Sequence, residues 1–134
     1  MAYVTKATTK GGRDGRAVLA EGGFGLAMAI PKEIGGSGEG TNPEQLFALG
    51  YSSCFGSAIM AIARKHGVDG SKAVVTAEVT LDKDAVSFAL GVTLSVHLPG
   101  VDAETAEKVL HEAHEICPYS RATRGNIPVT LQLV

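Results

Sequence analysis

Tryptophan is absent from the sequence, and aromatic residues make up only 5% of it. A core of this composition is not filled by rings. It closes by bringing backbones together over small side chains, and 17 glycines fit that manner of packing. Such a core is thin, and association with a second copy would add burial that one small domain lacks. An excess of one charge is missing too. The formal net charge is −2, with no Lys/Arg block and no aromatic–basic interleaving, which argues against nucleic acid as a partner. No apolar stretch runs to membrane-spanning length without Ser, Gly or charge, and the opening MAYVTKATTK reads as a strand rather than a signal peptide. The expectation is a soluble cytoplasmic protein with no membrane partner.

Cysteine is scarce, with two residues, Cys54 and Cys117. A permanent disulfide is disfavoured in a reducing compartment, so the two are either inert buried thiols or a working redox couple. Composition alone favours inert thiols. What is plentiful is apolar surface: 45% of 134 residues is enough for one real core, and residues 1–134 read as a single domain with no repeat or linker.

The order of elements is legible. Residues 3–9 are rich in Thr and Val, Gly11-Gly12-Arg13-Asp14-Gly15 turns the chain, residues 16–21 form a second strand, and Gly22-Gly23 leads to a third at 24–30. Residues 31–40 are a glycine-dense loop. Thr41 or Asn42 can then cap a helix, with Pro43 at its first position and Glu44 in its first turn. That helix runs to His66, and Gly67 stops it. Its many small residues, among them Ala48, Gly50, Ser52, Ser53, Gly56 and Ser57, predict a central helix buried on most sides. Strands follow at 72–81 and 86–98, joined by the turn Asp82-Lys83-Asp84. A second helix starts near Asp102 and runs to about Ile116, where Cys117-Pro118 ends or bends it. After a polar turn at 124–126, residues 127–134 form the last strand. The order βββ-α-ββ-α-β predicts an α+β fold with an antiparallel or mixed sheet around the central helix.

Cys54 falls in mid-helix, away from the free N–H groups that lower a thiol pKa at a helix start, so a reactive thiolate there needs a separate cation. Cys117, before Pro118, sits where the chain turns. His111, His114 and Cys117 follow at i, i+3 and i+6, but angular drift spreads them around the helix and no second ligand cluster accompanies them. No metal is expected, and the two histidines read as surface residues near a helix C-terminus. GGSGEG at 35–40 lacks the Lys-Ser/Thr of a phosphate loop and reads as a connector.

Three segments, GGRDGR at 11–16, GTNPEQLFALGYSSCF at 40–55 and CPYSRATRGNI at 117–127, together resemble the organic hydroperoxide resistance branch of the OsmC/Ohr family. Their order, their spacing and the terminal strand match over nearly the whole chain. The resemblance reverses the balance on the cysteines. It implies a thiol peroxidase of organic hydroperoxides, with Cys54 as the attacking (peroxidatic) thiolate and Cys117 as the resolving thiol. It further implies that Arg13 stabilises the thiolate and the departing alkoxide, and that Glu44 orients Arg13. On the residues alone, Arg13 reads as a solvated turn charge and Glu44 as a helix-start acid; Arg16 competes with Arg13. No cofactor is bound in the implied cycle. An external dithiol, dihydrolipoamide on a lipoylated protein, reopens the disulfide.

Glu44 and Cys54 are ten residues apart, so on one straight helix their Cα atoms stand roughly 15 Å apart. Either the helix breaks at Gly50, or Glu44 serves the Cys54 of a second chain. The resemblance implies the second case, an intertwined homodimer with two sites at its interface. Leu46, Phe47, Phe55 and Ile59, with Met28 or Ile30, are candidates for an apolar substrate entry, the alternative for each being ordinary core packing. Two rival readings remain open at this point: an osmotically induced OsmC-type relative with broader peroxide use, and a non-enzymatic binding module of the same fold.

Overall fold

In the computed structural model, which describes residues 1–134, glycine-directed turns fold the first strands into a meander. Within the unit Met1–Leu46, β1 (Ala7–Lys10), β2 (Arg16–Leu19) and β3 (Gly25–Ala27) pair antiparallel in that order. Between β1 and β2 lies a 3₁₀ turn, Gly12–Asp14, entered through Gly11 at φ 84° and Gly12 at φ 56°, both in the left-handed region open to glycine. Gly15 closes the turn so tightly that a Cβ there would lie 1.7 Å from the Lys10 carbonyl oxygen. Those are backbone atoms and cannot give way. Gly15→Ala is therefore expected to displace the turn and to cost about 1–3 kcal/mol, read as a lowered urea midpoint. An equal or higher midpoint would remove this account of the turn. The strands are shorter than expected, and this unit buries only Met28, Ala29 and Asn42.

Helix α1 (Pro43–Lys65) begins at the end of this unit. Asn42 and Gln45 form a reciprocal capping box: Asn42 Oδ1 accepts from the Gln45 N–H at 2.9 Å, and Gln45 Oε1 accepts from the Asn42 N–H at 3.3 Å. Asn42 is thus the cap, not Thr41. Gly67, at φ 71°, ends the helix as expected, with the Val68 N–H on the Ala63 carbonyl and the Gly67 N–H on Arg64.

In Phe47–Val134, β4 (Val74–Lys83) and β5 (Phe88–His97) form a long antiparallel pair, and β6 (Val129–Leu133) joins β5 in parallel. A parallel neighbour requires a crossover. It is supplied by α2 (Ala103–Ile116) and by a short helix absent from the sequence reading, α3 (Pro118–Thr123). Asp102 caps α2 by accepting from the Thr105 N–H at 2.9 Å. The result is α+β as expected, but in two three-stranded sheets rather than one.

The core of this unit joins the inward face of α1 (Tyr51, Phe55, Ile59, Ile62) to Val92, Leu94 and Val96 of β5 and to Val109, Leu110 and Ala113 of α2. Apolar residues at i, i+4 and i+8 on α1 and at alternate positions of β5 are what these two periodicities require. Burial of α1 within the chain is one-sided: Leu49, Ser53, Ser57 and Met60 on its other faces are exposed. The serines and glycines expected to interrupt the apolar stretches do interrupt α1. By length and composition alone α1 is apolar enough to cross a bilayer, because its serines and glycines dilute hydropathy without adding charge. Its inward face is a packed core face.

Candidate active site

The turn around Arg13 and the first turn of α1 present complementary charges. Arg13 Nη1 donates to Glu44 Oε2 at 2.8 Å, and Nη2 donates to Glu44 Oε1 at 2.7 Å. This is a bidentate fork, the geometry in which an Arg–carboxylate contact fixes orientation as well as charge. Glu44 is largely covered, whereas Arg13 keeps 39% of its side chain exposed. The Arg13 guanidinium holds the Glu44 carboxyl below its ordinary range against the opposing effect of burial, and Glu44 in turn raises Arg13. End-on pairing leaves the Arg13 Nε hydrogen and the outer hydrogen of each Nη uncommitted to Glu44. Arg16, the competitor, is exposed on β2 and has no carboxylate partner; its guanidinium lies over Gly25.

The two thiols meet across helices. Cys117 Sγ lies 3.5 Å from Cys54 Sγ, both as free thiols. Cys117 is fully buried and Cys54 is partly exposed. Burial pushes the Cys54 thiol up; the backbone N–H of Tyr119 acts the other way, and Cys117, a second ionisable thiol at contact distance, adds to the rise. That N–H belongs to the first turn of α3, whose start is set by extended Cys117 and by Pro118 at the first helical position. Burial of this kind disfavours the thiolate, and a nearby cation would favour it.

α1 runs without a break through Gly50, so that alternative is removed. Gly50 has a different purpose. A Cβ there would lie 2.8 Å from Tyr119 Oη and 3.0 Å from its ring, so glycine lets Tyr119 lie against the helix one turn before Cys54. Among the expected entry residues, Phe55 and Ile59 are fully buried core side chains. They back the helix rather than face an entrance, because they sit at i, i+4 on its inward side. Leu46 and Ile30 are half-buried, Met28 is buried, and half-buried Phe47 packs against Tyr51 and Tyr119. His111 pairs with Glu107, and His114 bonds Ser120 rather than lying free on the surface, so with Cys117 turned to Cys54 the three residues have separate partners.

Fold and geometry together define a class: small α+β proteins in which two free thiols adjoin on neighbouring helices and a carboxylate clamps a guanidinium on a glycine turn. The OsmC-like protein family model matches residues 36–132. The chain is 41% identical to an organic hydroperoxide resistance protein of Xanthomonas axonopodis pv. citri, over 98% of this chain and 94% of that one. It is 39% identical to the organic hydroperoxide resistance protein OhrB of Bacillus subtilis, over 98% and 97%. A crystal structure of an organic hydroperoxide resistance protein from Legionella pneumophila matches with a TM-score of 0.93 at 42% identity, covering 99% of this chain and 98% of that one. The chain belongs to the OsmC/Ohr family, in its organic hydroperoxide resistance branch.

Proposed function

We propose that the protein is a two-cysteine peroxidase that reduces organic hydroperoxides to alcohols and protects against organic peroxide stress. The observation that carries this reading is the adjacent pair of free thiols, one open to solvent and one buried 3.5 Å behind it. Cys54, as thiolate, attacks the distal peroxide oxygen. The O–O bond breaks, an alkoxide leaves and takes a proton to become the alcohol, and Cys54 becomes a sulfenic acid. Cys117 then displaces hydroxide from that sulfur, forming the disulfide and water. A dithiol of the dihydrolipoamide type, carried on a lipoylated protein, exchanges with the disulfide and restores both thiols.

The cation that Cys54 needs is Arg13, held by Glu44 and offered by a second copy of the chain. On unbroken α1, Glu44 and Cys54 stand roughly 15 Å apart, too far to serve one centre from one helix. Dimerisation also accounts for the meagre burial of Met1–Leu46 and for the exposed outer face of α1. In this reading the chain is one functional domain of a cytoplasmic homodimer, and half-buried Leu46 and Phe47 line the entry for an organic substrate. No cofactor or metal takes part. The relatives named for organic hydroperoxide resistance favour this branch over broader peroxide use.

One equivalent of cumene hydroperoxide should remove both free thiols and yield one disulfide between Cys54 and Cys117, counted with a thiol reagent and mapped by mass spectrometry. Retention of both thiols after exposure to organic hydroperoxide would defeat the proposal and favour a binding module.

A further inference from the structure

A buried polar network in Phe47–Val134 has no part in the chemistry just described. Tyr51 and Ser120 are fully excluded from solvent, and Thr123 nearly so. Tyr51 Oη lies 2.9 Å from Ser120 Oγ and 3.2 Å from Thr123 Oγ1. Ser120 Oγ lies 2.8 Å from His114 Nδ1, and Thr123 Oγ1 donates to the Ser120 carbonyl at 3.2 Å.

Each hydroxyl has one hydrogen to give, and that fixes the direction of every contact. Thr123 spends its hydrogen on the Ser120 carbonyl, so Tyr51 donates to Thr123. Ser120 must then donate to Tyr51, and His114 must donate to Ser120 from Nδ1–H. Burial and the nearby Arg124 disfavour a charged His114, which fits a neutral ring carrying its proton on Nδ1. The chain of donors runs from His114 through Ser120 and Tyr51 to Thr123, and closes on the backbone of α3. Bonds in such a series strengthen one another.

Its location matters. Tyr51 lies on α1 one turn before Cys54, Ser120 and Thr123 lie on α3 just after Cys117, and His114 lies in the last turn of α2 just before it. The network ties together the three helices that carry the dithiol. We propose that Tyr51 and Ser120 are positioning residues for disulfide closure, registering α3 against α1 so that Cys117 Sγ stays within reach of Cys54 Sγ. The inference rests on the peroxidase reading. In the step concerned, the Cys117 thiolate attacks Cys54 Sγ, the S–O bond of the sulfenic acid breaks, and hydroxide leaves with the thiol's proton as water. Cys117 has no solvent-exposed surface of its own, so its reach is set by where α3 is held.

Tyr51→Phe removes the hydroxyl and keeps the ring. Reduced protein mixed with excess cumene hydroperoxide should perform the first peroxide reduction within about twofold of wild type. Disulfide closure should slow roughly tenfold, a barrier change of about 1.4 kcal/mol, and more Cys54 should reach sulfinic acid. Thr123→Val should move this partition in the same direction. Ile62→Val, a core change away from the network, should lower the thermal midpoint and leave the partition alone. A lowered midpoint with a wild-type partition in both Tyr51→Phe and Thr123→Val overturns the inference and leaves the network a stability feature. Should wild type form no disulfide with hydroperoxide, the peroxidase reading fails instead. Closure by diamide then still decides the positioning role by comparing wild type with Tyr51→Phe.

Discussion

Cys54→Ser is expected to lower organic hydroperoxide consumption by at least roughly a thousandfold, to the level of the buffer, whereas Cys117→Ser keeps the first turnover. A serine hydroxyl in the same place has neither the acidity nor the polarisable sulfur that displaces an alkoxide from a peroxide bond. In the proposed cycle Cys117 acts only after that bond has broken. Its loss leaves the sulfenic acid of Cys54 partly exposed with no thiol behind it, and excess peroxide should then carry it to sulfinic and sulfonic acids. The two variants therefore separate in a way that fold damage cannot mimic. In a rapid-mixing assay, Cys117→Ser should show a burst of about one equivalent per chain followed by progressive inactivation, with the oxidised sulfur mapped to Cys54. A Cys54→Ser protein that still consumed hydroperoxide at the wild-type rate would end the mechanism, whatever its Cys117 did.

The parts of this arrangement that local rules govern were legible before any coordinates. Thr41 or Asn42, Pro43 and Glu44 mark the start of α1, Gly67 marks its end, and Gly11, Gly12 and Gly15 mark the turn that carries Arg13. The α+β class followed from the same signals. Tertiary pairing was not legible. Cys54 and Cys117 are brought together by a parallel crossover from β5 to β6, and nothing in their separation along the chain encodes that. Without the family resemblance both would have stayed inert thiols. The division into two sheets was hidden for a related reason, since strand spacing does not say which strands pair. α3 escaped because six residues are too few for a helical period, although Pro118 directly after an extended residue was a usable sign. With α3 went the Tyr51–Ser120–His114 network, of which the sequence singles out only His114, as a surface histidine. Phe55 and Ile59 erred the other way. Their spacing on α1 is the plain signature of a core face, and nearness to Cys54 along the chain does not turn that face toward an entrance.

Arg13→Ala is expected to slow the peroxide step on the order of 10²–10³, the loss typical when one donor to a developing oxyanion is removed. Two effects act together. In the proposed mechanism, loss of the guanidinium leaves nothing to offset the burial that pushes the Cys54 thiol up, and the departing alkoxide loses its stabilising cation. The apparent Cys54 pKa, read from the pH dependence of alkylation, should rise in the variant. Arg13→Lys should fall between, because an ammonium keeps the charge and loses the fork to Glu44. Glu44→Gln should cost roughly tenfold, as loss of an orienting partner does, with Cys54 itself untouched. The pH dependence of that last deficit has a definite sign. Arg13 holds the folded Glu44 carboxyl below its ordinary range, so the pair is intact at neutral pH and persists as pH falls through the range where a free carboxylate would protonate. It is lost only when pH drops through the depressed value. The ratio of wild-type to Glu44→Gln rates, each corrected for thiolate fraction, should therefore stay level across the ordinary carboxylate range and close only below it. The difference in their unfolding free energies follows another course: it is full above the ordinary carboxylate range, declines through that range as the unfolded chain takes up its proton, and is gone below the depressed value. A ratio that collapsed at the ordinary value would mean that Glu44 is not clamped in the working protein, and Arg13 would then have to be positioned by something else.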